Sequence, residues 1–130
     1  MLVGLAGPAA NFLLALLLAI AYKILTVYFF NLAQTDPEAA KSFLQHGGKA
    51  AAELINILLV INVALGVFNL LPVPPLDGSK ILYGILPDSA AVFMETLEKY
   101  SFILFIAVIF FGAKLVSAPI NLIVNMLMNW

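Results

Sequence analysis

Two apolar runs of membrane-spanning length decide what this chain can fold into. Residues 9–30 are broken only by Asn11, Tyr22, Lys23, Thr26 and Tyr28, and residues 50–71 form a second run of equal length. At 1.5 Å of rise per residue each helix covers about 33 Å, close to the hydrocarbon thickness of a bilayer. Lipid offers no hydrogen bonds, so the backbone of such a run must satisfy itself, and helix is the form that does so. A third apolar stretch covers about 98–113. The composition agrees: 64% of the 130 residues are hydrophobic and 10% charged, against a soluble norm of roughly 45–50% apolar, and the mean hydropathy is +1.10. The predicted fold is all-α and integral to the membrane, with about three transmembrane helices in one domain over residues 1–130. Lys23, near the end of the first run, can snorkel, and Tyr22, Tyr28 and Phe29 suit an interfacial belt.

One stretch violates this pattern. Asn69 to Gly78 reads Asn-Leu-Leu-Pro-Val-Pro-Pro-Leu-Asp-Gly. Pro72, Pro74 and Pro75 remove backbone donors and push the residues before them out of helix, so extended backbone is predicted where lipid demands helix. Such backbone must face protein or water. Asp77 lies within this break, and a carboxylate at mid-bilayer costs roughly 2.5–3.5 kcal/mol on insertion scales. It needs a cation, a proton or a wet cavity, which makes it a candidate site residue. A short helix follows with Asp77 at its N-cap, ended by Pro87.

Other polar residues have plainer readings. Asn62, Gly66 and Asn69 fall on one helix face and predict a packing seam, with amides bonding across it. Asn69 also stands where its helix must stop before Pro72, so its amide is expected to point into the irregular region. Gly7 and Pro8 read as the start of the first helix, with Asn11 inside its first turn. Residues 31–53 are a polar connector, in which His46, beside two glycines, is a solvated loop histidine. The tail from 119 to 130 is too short to cross a bilayer and is expected as an interfacial helix, with Trp130 at headgroup level.

What is missing is also informative. There is no Cys, one His, and six Lys without Arg at a net charge of −1. Nucleic-acid binding is set aside for want of a basic patch. One histidine cannot make a two-histidine zinc site.

Two segments together resemble the site-2 protease family of intramembrane zinc metalloproteases, in its compact prokaryotic branch without a PDZ domain. They are Leu-Ala-Gly-Pro-Ala-Ala-Asn-Phe-Leu-Leu at Leu5 to Leu14, and the Asn-x-x-Pro-x-Pro-x-Leu-Asp-Gly pattern at Asn69 to Gly78, complete in identity and spacing. The resemblance implies that Asp77 is a zinc ligand and that Asn69 donates a hydrogen bond beside the reacting carbonyl. It places Asn11 in a hairpin against the active site, with Pro72 and Pro74 lining the substrate path. The implied cofactor is Zn²⁺, and the implied partners are the lipid bilayer and a membrane-spanning protein substrate in a prokaryotic cell membrane. The family's His-Glu-x-x-His helix, source of two ligands and the general base, is not in this sequence. The expectation is therefore the later part of a family member, with the remaining zinc ligands supplied by a preceding segment and no cleavage by this chain alone. Two alternatives stand: a non-catalytic relative serving as a binding or regulatory partner, and an ion-coupled carrier, since Pro-broken helices with an embedded Asp also coordinate ions.

Overall fold

A computed structural model describes residues 2–130, and all regular structure among the described residues is helical. The long helices are α1 (Leu2–Thr35) and α3 (Lys49–Asn69). At 34 and 21 residues they measure about 51 and 31 Å. Both are long and apolar enough to cross a membrane.

The first helix starts earlier than the sequence indicates. Pro8 lies inside α1, fully buried, and not at its first position. Proline is tolerated within membrane helices where neighbouring groups take over the freed backbone partner. For the same reason Asn11 sits on a continuous helix, not in a hairpin.

Between the long helices, Asp36 caps α2 (Pro37–Phe43) by accepting from the Ala39 amide at 3.0 Å, with Pro37 at the start, where its missing donor is harmless. Phe43 folds α2 back onto α1, its ring 5.5 Å from Tyr28 and 6.4 Å from Phe29. Gly47 then takes φ 114°, a left-handed value suited to glycine, and releases the chain into α3. His46 donates from Nδ1 to the Ser42 carbonyl at 2.7 Å.

α1 and α3 pack antiparallel. Ala15 and Ala19 meet Leu59, Val63 and Val67 in a buried cluster, with Phe12 at its edge. Gly66 presents its bare Cα to the Phe12 ring. Asn62 is buried on this face, but its amide donates to the Leu58 carbonyl of its own helix at 2.8 Å and not across the seam. A helix interior offers that carbonyl one turn back, so the amide needs no partner helix.

The remainder is divided more finely than its composition shows. After α4 (Asp77–Ile85) come a single 3-10 turn at Asp88–Ala90, α5 (Ala91–Lys99), α6 (Ser101–Phe111) and α7 (Ala113–Met128). α6 and the α7 segment Val116–Met128 meet at a 62° bend and make a third crossing if taken as one broken span. α7 holds Pro119 inside it and turns Val116, Ile120, Ile123, Val124, Leu127 and Met128 toward the α1–α3 cluster. At its end, Lys23 of α1 donates to the Trp130 carbonyl at 2.6 Å and lies 5.3 Å from the centre of the indole ring.

Large apolar side chains face outward along every long element, including Leu13, Leu17, Ile24, Leu54, Ile57, Phe110 and Phe111. In water this surface would aggregate; lipid is the solvent that covers it. The protein is an all-α integral membrane protein.

Candidate functional site

The site is built where α3 ends. Leu70 and Leu71 close the helix with tightened bonds to the Val67 and Phe68 carbonyls, at 3.2 and 3.1 Å. Pro72 has no amide to continue the ladder, and the chain turns. Two short bonds hold the turn, from the Val73 amide to Leu71 O at 2.8 Å and from the Leu76 amide to Val73 O at 2.9 Å. The Pro74–Pro75 peptide is cis. Pro74 is buried while Pro72 and Pro75 are exposed, so the three prolines serve different surfaces.

Leu76, extended at φ −71° and ψ 155°, occupies the cap position of α4. Asp77 is therefore the first residue inside α4 and not its N-cap. No side chain caps α4, and the Ser79 amide and hydroxyl both donate to the Leu76 carbonyl, at 3.1 and 2.7 Å. The Asp77 carboxylate is thus left unspent by the helix start, although its charge still suits the positive end of the helix dipole.

Close approach fixes where that carboxylate stands. A Cβ on Gly78 would overlap the carbonyl oxygens of Leu70 and Leu71, so only glycine lets the first turn of α4 fold back on the end of α3. Asn69 and Asp77 consequently stand at the two ends of one short turn. On the other side lies α1. A Cβ on Gly4 would lie 2.9 Å from the Asp77 carbonyl oxygen and 3.0 Å from the Lys80 Cβ, and one on Gly7 would overlap Asp77 Oδ2. The second oxygen, Oδ1, accepts from Lys80 Nζ at 2.7 Å. The carboxylate is held from both sides and remains 27% exposed.

Of the residues singled out in the sequence, Asn69 closes α3 and is half-buried. Asn11 is half-buried on α1, one turn beyond Gly7 on the same face. The structure adds three neighbours that sequence reading passed over: Gly4, Gly7 and Lys80. The i, i+3 spacing of Lys80 from Asp77 was an available signal. Nothing in the sequence pairs Gly7 with a residue some seventy positions away.

Zinc can be tested against these residues. A carboxylate oxygen is a suitable donor, but a tetrahedral zinc site with one position open for water takes three protein ligands. Among the described residues, no group of three His, Cys, Asp or Glu side chains is placed to hold a metal. The described residues do not make up a zinc centre by themselves.

Comparison with known proteins covers most of the chain. A model described as peptidase family M50 matches residues 1–112, which includes both α1 and the turn carrying Asp77. A Bacillus subtilis (strain 168) protein named "Putative zinc metalloprotease YwhC" is 30% identical over 105 residues, or 81% of this chain. The aligned part is 43% of that relative's length, so the chain matches less than half of it. No solved structure matches.

Proposed function

We propose a function from one premise: this chain belongs to peptidase family M50. It is part of a membrane zinc metalloprotease that hydrolyses peptide bonds of membrane-spanning substrates. Asp77 is the carboxylate ligand of the zinc ion, and the other ligands lie outside the residues described here. Asn69 donates its amide N–H to the oxygen that gains charge when the scissile carbonyl is attacked, while Asn11, Pro72 and Pro74 line the approach to it.

One observation supports this reading above the others. Asp77 is a carboxylate in a membrane protein, not spent on capping α4, seated against Gly7 of α1 and paired with Lys80, yet still 27% exposed. An acid needed only to start a helix requires none of this. Asn69, eight positions earlier at the other end of the turn, is placed by the same backbone reversal. Loss of one oxyanion donor typically costs 10²–10³ in turnover.

The test uses the intact protein in its own membrane, with a membrane-spanning reporter and metal analysis after purification. Asp77→Asn should lower proteolysis beyond the roughly 100-fold lost with an outer-shell metal partner, and should strip zinc without altering membrane insertion. Asn69→Ala should reduce turnover by about 10²-fold while zinc retention stays at the wild-type level. Undiminished cleavage by Asp77→Asn would remove Asp77 from the site. Binding of the reporter without cleavage by the wild-type protein would favour a non-catalytic partner.

A further inference from the structure

We propose that Gly7 is a positioning residue for Asp77. Its missing side chain is the slot into which Asp77 Oδ2 fits, so that α1 sets the direction of the carboxylate. The inference rests on the proposed role of Asp77 as a metal ligand and adds a residue of a different helix to that site.

The contact differs in kind from ordinary helix packing. Where α1 meets α3, small residues face carbon: Ala15 and Ala19 lie against Leu59, Val63 and Val67. At Gly7 the facing atom is a carboxylate oxygen, and a methyl group there would occupy its place, with Asp77 Cγ 3.5 Å away. Oδ1 meanwhile accepts from Lys80 at 2.7 Å. A side chain at position 7 would displace Oδ2 and turn the carboxylate from this direction. Gly4 makes a different contact. The atoms nearest its Cβ would be the Asp77 carbonyl oxygen, the Lys80 Cβ and Ile81 Cγ1. Both glycines seat α4, and at Gly7 the nearest atom belongs to the carboxylate.

The experiment compares Gly7→Ala, Ala15→Leu and Asp77→Asn in the intact protein, purified from membranes. Zinc retained per chain is measured during dialysis against a chelator, and the visible spectrum is recorded after cobalt substitution. Gly7→Ala should lose zinc about tenfold faster than wild type, the lower end of what outer-shell changes cost, with a shifted cobalt spectrum. Ala15→Leu, in the carbon-lined seam, should keep the wild-type spectrum. If Asp77→Asn loses zinc and Gly7→Ala keeps both wild-type retention and spectrum, the inference about Gly7 fails and the ligand role of Asp77 stands. If Asp77→Asn itself retains zinc, the ligand role fails first. A folding defect in Gly7→Ala is handled by the pair with Asp77→Ala, which removes the overlapping oxygen. Gly7→Ala should then leave the unfolding midpoint of Asp77→Ala unchanged, and an equal loss in both backgrounds would overturn the inference.

Discussion

Two stretches of α1 use small residues for different ends. Ala15 and Ala19 let a neighbouring helix come close and are covered by leucine and valine carbons. About two to three turns earlier, Gly4 and Gly7 are covered by oxygen: a carbonyl and a carboxylate of Asp77. Membrane helices gain little from burying apolar surface against each other, since lipid is equally apolar, so packing and hydrogen bonding decide their contacts. A side chain can shift to admit an extra methyl group. A backbone carbonyl has much less room to yield, and at Gly7 a methyl group is admitted only if the Asp77 carboxylate turns. Alanine fits the first seam; in the second it must displace an oxygen of Asp77.

Three substitutions probe whether the facing atom is what separates the seams. The largest effect is expected from Gly78→Ala. Its new methyl group would meet two backbone carbonyls, Leu70 O and Leu71 O, so the turn must open, at a cost of about 3 kcal/mol or more. Unfolding of the purified protein in mixed detergent and denaturant should show this, and a wild-type midpoint would break the distinction. Ala15→Leu, in the carbon-lined seam, should cost about 1–3 kcal/mol by overpacking, yet leave zinc retention by the intact protein unchanged. The smallest effect is expected from Gly66→Ala. Its methyl group would come 2.8 Å from the Phe12 ring, a side chain that can turn aside, and the gain in helix propensity of about 1 kcal/mol offsets the crowding. Its net shift should lie within about 1 kcal/mol of zero in the same assay.

Much of this was legible before any coordinates. The membrane-spanning lengths, the break at Pro72 and the isolation of Asp77 follow from residue types that lipid either accepts or rejects. Element boundaries were harder. Pro8 signals a helix start by its chemistry, yet α1 runs through it. No breaker marks Tyr100, where α5 gives way to α6. Asp77 has the chemistry of an N-cap, yet it lies one residue inside α4, and no side chain caps that helix. The Gly7–Asp77 contact was out of reach because it joins two distant helices. Local preference records what a residue tolerates along its own chain, not which oxygen another segment will bring to it.

The length of α1 carries one more consequence. Gly7 and Tyr28 are separated by about 32 Å of helix, nearly one hydrocarbon thickness. Tyr28 and Phe29, with Phe43 folded against them, form an aromatic collar of the kind that floats at the headgroup level. With that collar moored at one face, the helix works as a dipstick that carries Asp77 toward the opposite face. The acid, still partly uncovered, thus hangs at the end of α1 remote from the collar.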